Sequence, residues 1–327
     1  MSGTIAIIAN PVSGRDVRRL FANAARSSIA DKVTIVRRVA IGAAAAGADR
    51  LLVLPDPHGI CKKALSTVHL DIEVEEIAVP RTHDERETVE AAAMLRGRGV
   101  GAVVVLGGDG TNRTVTKGWR DAPIVPLSTG TNNVFPAHVE PTIGGVAAGL
   151  VASGALALDD VARPAKVVHV GIDGAEPDFA LVDAVLTADR VVGDRTPFDP
   201  ATLRMAVLAI ADPAAVGISP LGGLVHPLGR DEDGGVVVHF GPGNLTLRAP
   251  ISPGLYAEVP IAAVDRVEPG TTVTAEGPGI LAFDGDRRRV VEEGTRLTFR
   301  VERDGPRVID VPTALRLAAE KGLFVRT

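Results

Sequence analysis

Five consecutive residues in the first half of the chain, Gly107-Gly108-Asp109-Gly110-Thr111, have the types expected of a phosphate-binding turn. Glycines let backbone N–H groups approach an anion closely, and a helix beginning there would add its positive end. Asp109 places a carboxylate in the same turn, where it could bind Mg²⁺ or accept the proton of an attacking hydroxyl. A strand-to-helix turn without any ligand would use the same glycines, so a purely structural role remains the alternative.

Two further polar turns follow predicted strands, at Asn10–Arg15 and at Ser128–Asn133. If the strands are parallel, all three turns open on one edge of the sheet, and their hydroxyl and backbone N–H groups could bind the phosphates of one nucleotide. The predicted cofactor-binding residues are Asn10, Ser13, Gly14, Gly107, Gly108, Gly110, Thr111, Thr129, Gly130 and Thr131.

The elements before residue 155 alternate between strands and helices. Apolar runs predict strands at 4–9, 32–38, 50–54, 71–79, 103–107 and 124–127. Helical spacing or capping signals predict helices at 17–24, 41–48, 59–68, 84–97, 114–119 and 142–153. This alternation predicts a parallel sheet with helices on both faces, and ligands of such sheets lie outside the carboxyl ends of the strands.

The second half of the chain has short Val-rich runs broken by Gly, Pro and Asp, which are typical of an antiparallel β-sandwich. Helical spacing reappears at Pro200–Ile210 and at Thr313–Lys321. We therefore predict an α/β nucleotide-binding domain over residues 1–160 and a mostly antiparallel β-sandwich over 161–311, where the phosphate acceptor would bind. A C-terminal helix over 312–327 would return to the first domain.

Composition limits the classes of partner. The net charge of −5 argues against nucleic acid or an anionic membrane surface, and aromatic residues, at 3%, are too few for base stacking. The single cysteine, Cys61, allows no intrachain disulfide and fits a reducing compartment. No basic apolar leader begins the chain and no apolar run could span a bilayer, so a cytoplasmic location is expected.

Several nucleotide and metal motifs are missing. No Gly-Lys-Ser or Gly-Lys-Thr sequence occurs, which excludes a Walker motif. The glycines at 97, 99 and 101 precede a predicted strand, whereas the dinucleotide-binding fingerprint follows one. The seven histidines have no metal-ligand spacing, so a transition-metal site is not expected.

Gly107-Gly108-Asp109-Gly110-Thr111 matches the signature of the superfamily of NAD kinases, diacylglycerol kinases and sphingosine kinases. The turns Asn10–Gly14 and Gly130–Phe135 resemble the first and third nucleotide-binding turns of its lipid-kinase branch. Within this superfamily the chain most resembles the ATP-NAD kinase-like proteins of acetoin catabolism, in the runs Leu51–Gly59 and Pro126–Pro136. The resemblance implies ATP-dependent phosphorylation of a hydroxyl group with Mg²⁺, with Asp109 as catalytic residue or metal ligand, and a homo-oligomer such as a dimer.

Other site residues are carried over from this resemblance. Asn132, Asn133 and Asp183 are the expected acceptor-binding residues, although the Asn-acid pair that holds NAD in NAD kinases is incomplete at Leu181-Val182-Asp183. Asp284-Gly285-Asp286 resembles an Asp-Gly-Glu motif of lipid kinases, which makes Asp286 a second catalytic candidate. A hairpin turn would equally favour Asp-Gly at this place.

Two other functions stay open at this stage. The incomplete Asn-acid pair is consistent with a nucleotide-binding accessory or sensor protein that has lost catalysis. A diacylglycerol-type lipid kinase is the second alternative, but the acidic net charge and the lack of a basic amphipathic helix argue against membrane docking.

Overall fold

The computed structural model describes residues 3–13, 28–82, 84–129, 133–189 and 199–325, and only the backbone of residues 286–288. The predicted helix at 17–24 lies outside the described residues.

Among the described residues, seven strands form the sheet of the first domain. They are β1 (Thr4–Ala9), β2 (Arg50–Val53), β3 (Glu73–Glu76), β4 (Ala102–Gly107), β5 (Pro123–Ser128), β6 (Ala162–Pro164) and β17 (Arg307–Ile309). Their order is β3-β2-β1-β4-β5-β17-β6, and all pairs are parallel except β17 with β6. The sheet therefore takes up two short strands that come after residue 160.

Helices cover both faces of this sheet. They are α1 (Ile29–Ala45), α2 (Ile60–Leu65), α3 (Glu85–Gly97), α4 (Asp109–Gly118), α5 (Pro141–Ala152) and α6 (Leu158–Val161). Alternate residues of β1 point to opposite faces, so that Ile7 packs with α1 and α5 while Ile8 packs with α3 and α4. Burial on both faces explains why β1 and β4 are apolar throughout. The predicted α/β architecture is confirmed.

The strand predicted at 32–38 is wrong, because these residues belong to α1. Ser28 caps this helix: its hydroxyl accepts a hydrogen bond from the N–H of Asp31 at 3.1 Å, and the Asp31 carboxylate accepts one from the N–H of Ser28 at 2.8 Å. This reciprocal capping starts the helix before the β-branched residues, and packing against α5 outweighs their strand propensity.

The second domain contains two antiparallel sheets within its described residues. One has the order β12-β11-β10-β9-β14-β15 and the other β13-β16-β7-β8. The strands are β7 (Val167–Ile172), β8 (Ala175–Ala180), β9 (Asp183–Thr187), β10 (Leu203–Leu208), β11 (Gly235–Ser252), β12 (Leu255–Val267), β13 (Val273–Glu276), β14 (Gly279–Phe283), β15 (Asp286–Val291) and β16 (Arg296–Glu302). Inner residues of both sheets share one core, for example Met205 of β10 and Phe299 of β16, which confirms the antiparallel β-sandwich.

The helix predicted at Pro200–Ile210 is wrong. A single 3-10 turn spans Pro200–Thr202, and Leu203–Leu208 is strand β10 in the middle of a sheet. The alternation of a strand is present at Leu203, Met205 and Val207. Other apolar residues between and after them are buried as well, so the apolar positions of the segment also fit a helical spacing. A short helix, α7 (Ser219–Gly223), also lies in this domain.

The C-terminal helix, α8 (Val311–Glu320), follows β17 and packs on the first domain through Ala314 and Ala318, as predicted. Asp310 caps it by accepting a hydrogen bond from the N–H of Thr313 at 2.8 Å. None of the helices in the described part of the chain is both long and apolar enough to cross a membrane.

Candidate functional site

The turns after β1, β4 and β5 lie side by side at one edge of the first sheet. Strand β4 lies between β1 and β5, and all three strands are parallel, so their carboxyl ends meet at this edge. The predicted convergence of the three turns is confirmed for their described residues.

Side-chain hydrogen bonds join the first turn to the other two. The Asn10 amide donates to the Thr111 hydroxyl at 2.8 Å, and the Ser13 and Thr129 hydroxyls are 2.8 Å apart. The Asn10 side-chain oxygen also accepts hydrogen bonds from the N–H groups of Val12 and Ser13, at 2.9 and 3.2 Å. Residues far apart in the sequence therefore form one continuous polar surface.

Two glycines of the central turn are needed for close packing. A Cβ atom on Gly107 would lie 2.4 Å from the Cβ of Thr111, and one on Gly108 would lie 2.7 Å from the side-chain oxygen of Asn133. Both distances are far below van der Waals contact, so a side chain at Gly107 would displace Thr111 on α4, and one at Gly108 would displace the end of the Asn133 side chain. Gly110 lies inside the first turn of α4.

Asp109 is the first residue of α4, where the helix dipole stabilises a carboxylate. Its side chain accepts hydrogen bonds from the backbone N–H groups of Val134, at 3.1 and 3.2 Å, and of Phe135, at 2.9 Å. Arg230 of the second domain donates to the carbonyl oxygens of the same two residues, at 3.2 and 3.3 Å. Both domains therefore contribute to holding the Asp109 carboxylate.

Sequence reasoning missed Lys32, which lies fully buried on α1 beneath the first turn. Its ammonium group donates to the carbonyl oxygens of Asn10, Pro11 and Ser13 at 2.9, 2.9 and 2.6 Å. The signal was present: in a helix, Lys32 lies on the same face as the buried residues Val36 and Val39. It was overlooked because this segment was predicted to be a strand.

A second missed residue is Arg113, one helical turn after Asp109 on α4 and 1% exposed. It donates to the Asp178 carboxylate at 2.6 Å and to the Phe179 carbonyl at 2.5 Å, both in β8 of the second domain. Its guanidinium carbon lies 4.8 Å from the centre of the Phe283 ring. The helix that carries Asp109 is thereby tied directly to the second domain.

Asp284, in the second domain, lies close enough to Arg113 to interact with its charge. Its carboxylate accepts hydrogen bonds from the backbone N–H groups of Leu181, Val182 and Asp183, at 2.8 to 3.3 Å. Burial raises the pKa of Asp284, and the charge of Arg113 and the three N–H donors act in the opposite direction. Asp284 has a φ of +49°, so the Asp-Gly pair does form a tight turn between β14 and β15.

The remaining predicted residues have different positions. Asn133 donates to the Ser128 hydroxyl at 3.0 Å, and Asp183 is buried at the start of β9. Gly14, Gly130, Thr131 and Asn132 lie outside the described residues, as does the side chain of Asp286. Their predicted roles in cofactor binding, acceptor binding and catalysis stay predictions.

The described residues contain no group of three or more His, Cys, Asp or Glu side chains that could hold a metal ion. A single carboxylate such as Asp109 is nevertheless compatible with Mg²⁺, which keeps several waters and is bound by one or two carboxylates together with substrate phosphates. The tightly packed glycines and the hydroxyls of Ser13, Thr111 and Thr129 fit a nucleotide phosphate group.

A cavity of about 650 Å³ lies where β5, β6 and the start of α8 meet the second domain. Phe135 and Arg230 line it, but none of the predicted site residues that the structure describes does. Lys166, also in its wall, donates to the carbonyls of Gly229 and Gly234 at 2.9 and 3.3 Å. Burial, and then the charge of Arg303, lower the pKa of Lys166 to about 8.

Comparison with known proteins matches both halves of the chain. Residues 6–155 match the ATP-NAD kinase N-terminal domain and residues 166–304 the acetoin catabolism protein X C-terminal domain. The chain is 38% identical to acetoin catabolism protein X of Cupriavidus necator over 337 aligned positions, covering 98% of this chain and 93% of that protein. Its fold is similar to that of yeast NADH kinase complexed with NADH, with a TM-score of 0.53 and 11% identity over 99% of this chain and 88% of the other.

Proposed function

Because the chain belongs to the acetoin catabolism protein X family and has the NAD kinase-like fold, we propose that it is an ATP-dependent kinase. Its acceptor would be a hydroxyl group of NAD or of a related nucleotide or small metabolite. The observation that carries this proposal is the pair of hydrogen bonds, Asn10–Thr111 and Ser13–Thr129, that unite the three turns around Asp109.

The residues of the three turns have different roles in phosphoryl transfer. The hydroxyls of Ser13, Thr111 and Thr129 and the start of α4 bind the phosphates of ATP. Mg²⁺, when bound beside Asp109, neutralises phosphate charge. Asp109 orients the acceptor hydroxyl or takes its proton, and its own position is fixed by the N–H groups of Val134 and Phe135.

The second domain supplies the opposite wall, where the acceptor binds. Asp183 is the residue of this wall expected to contact the acceptor, and Asp284 fixes its backbone. Arg113 keeps the wall at a constant distance from Asp109, because it is buried and bonded to Asp178 and Phe179.

A nucleotide-binding sensor is the second candidate, and the surroundings of Asp109 favour it. The carboxylate already accepts hydrogen bonds from two backbone N–H groups, which leaves fewer lone pairs for a hydroxyl proton or a metal ion. In a sensor, Asp109 would only connect α4 to the turn after β5.

The test combines titration calorimetry with transfer of radiolabelled phosphate from ATP to a panel of acceptors that includes NAD. In the Asp109→Asn variant we expect ATP affinity to stay within about threefold and transfer to fall by about 10² or more, as for loss of an acid–base group. Asp71→Asn, which removes an exposed carboxylate, is the control and should transfer normally.

The outcomes separate the candidates. ATP binding without transfer to any acceptor would support the sensor. Unchanged transfer in Asp109→Asn would eliminate the proposed role of Asp109, and a wild-type protein that does not bind ATP would contradict both candidates.

A further inference from the structure

Lys32 has an unusual place for a charged residue. Its ammonium group is fully buried, and the carbonyl oxygens of Asn10, Pro11 and Ser13 converge on it within 2.9 Å. An ammonium group has three N–H donors, so each of these carbonyls can have a donor of its own. Three carbonyl groups of the first turn therefore point at the positive charge of Lys32.

This arrangement determines what the first turn presents to the sheet edge. Carbonyl oxygens carry partial negative charge, and oxygens that converge on one buried nitrogen cannot also face a ligand on the outer side of the turn. The Asn10 side chain, held by the N–H groups of Val12 and Ser13, instead reaches outward to Thr111. By binding these three carbonyl oxygens, Lys32 keeps them from repelling an anion at the sheet edge.

The buried charge also acts directly on the surface above it. A charge surrounded by protein is screened less than one in water, so its potential extends through the turn. The chain as a whole carries a net charge of −5 and has no Walker lysine, so neither feature attracts a triphosphate. Lys32 supplies a positive potential at the place where the three turns meet.

We propose that Lys32 is a positioning residue for the phosphates of the nucleotide, acting through the backbone of the first turn and through its own charge without touching the ligand. This inference rests on the proposed binding of ATP, and adds to it the source of the phosphate affinity. It does not depend on whether phosphate is transferred.

The test is to compare the affinities of ATP, ADP and adenosine for the wild-type protein and Lys32→Met by calorimetry. An effect on phosphates predicts that ATP affinity falls by about tenfold or more, ADP affinity by less, and adenosine affinity by no more than about twofold, because the lost attraction grows with ligand charge. A lysine that contributes only to the stability of the whole domain would weaken all three ligands by the same factor.

Two further variants keep the test decisive. Lys166→Met removes another buried lysine that donates only to backbone carbonyls, those of Gly229 and Gly234, and should leave the ratio of ATP to adenosine affinity unchanged. Lys32→Arg keeps the positive charge and should retain most of this ratio. If thermal melting shows that Lys32→Met does not fold, Lys32→Arg takes its place in the test. A ratio of ATP to adenosine affinity that falls about tenfold or more in Lys32→Arg, although the positive charge is kept, would overturn the inference.

The inference and the proposed function fail in different ways. If Lys32→Met binds ATP, ADP and adenosine in the wild-type ratio, Lys32 has no role toward phosphate, while the proposed function stands. If the wild-type protein binds no ATP, the proposed function is what fails, and the inference falls with it.

Discussion

The amide nitrogen of Asn10 lies 2.8 Å from the hydroxyl of Thr111, although the two residues are 101 positions apart in the chain. This hydrogen bond joins the turn after β1 to the glycine turn after β4. The Asn10 side chain also accepts from two N–H groups of its own turn, so it fixes the shape of that turn as well as its distance from α4.

Replacement of Asn10 by Ala should therefore weaken nucleotide binding. The hydrogen bond to Thr111, which sets the distance between the two turns, contributes about 1 kcal/mol, so we expect ATP affinity to fall by about fivefold in calorimetry. Asn244→Ala, which changes an exposed asparagine in β11, should bind ATP normally. Equal affinities in the two variants would mean that the junction between the turns is not needed.

Gly107 should not tolerate even a methyl group. An alanine Cβ would lie 2.4 to 2.6 Å from three side-chain atoms of Thr111, so Thr111, the hydrogen-bond partner of Asn10, must shift. We expect Gly107→Ala to lower the free energy of unfolding by about 1–3 kcal/mol, as overpacking usually does.

Urea denaturation measures this change. Gly97→Ala is the matched control, because nothing lies within 4 Å of a Cβ atom at the end of α3 and alanine favours a helix. A Gly107→Ala variant as stable as Gly97→Ala would show that the central turn is not closely packed.

Arg113→Met should weaken the connection between the domains. It takes from the Asp178 carboxylate, whose side chain is 8% exposed, its partner at 2.6 Å and leaves only the more distant Arg289, at 3.6 Å. Breaking a buried ion pair typically costs about 3–5 kcal/mol, whereas Arg38→Met, which breaks an exposed pair with Glu140, should cost less than about 1 kcal/mol.

A double-mutant cycle separates the ion pair from packing. Arg113→Met together with Asp178→Leu should destabilise the protein by less than the sum of the single variants, since neither charge is then left buried alone. Additive effects in urea denaturation would indicate that the stabilising contribution of Arg113 comes from Phe283 and the Phe179 carbonyl instead.

Lys166 should make stability depend on pH in the alkaline range. Its pKa is lowered to about 8 in the folded protein from its ordinary value of 10.5, so between these pH values the unfolded chain binds more protons than the folded one. The free energy of unfolding of the wild-type protein, relative to Lys166→Met, should therefore rise by roughly 1 kcal/mol per pH unit from about pH 8 to about pH 10.

Chemical denaturation at several pH values tests this slope. Lys62→Met, which removes an exposed lysine of α2, should show the wild-type dependence on pH. If the free energy of unfolding of Lys166→Met changes with pH as that of the wild type does across this range, Lys166 is not desolvated as its burial implies.

The place of the candidate site follows from the amino-acid sequence alone. Glycines and hydroxyl residues follow three apolar runs, and parallel strands bring their carboxyl ends to one edge, so the strand pattern is enough to group Asn10, Asp109 and Thr129. The same local signals predict the α/β domain, the β-sandwich and the returning C-terminal helix. Local patterns fail at 32–38 and 200–210, where packing against α5 and within a central sheet outweighs spacing and propensity.

The residues that support the site are decided by the tertiary fold. Lys32, Arg113 and Arg230 carry no motif, and their roles depend on carbonyls and carboxylates that the fold brings to them from 19 to 96 positions away. A buried lysine or arginine is stable only where such partners are already in place, and this depends on how helices and domains pack. Short sequence patterns contain no information about partners at that distance, which is why the turns were predictable and their supports were not.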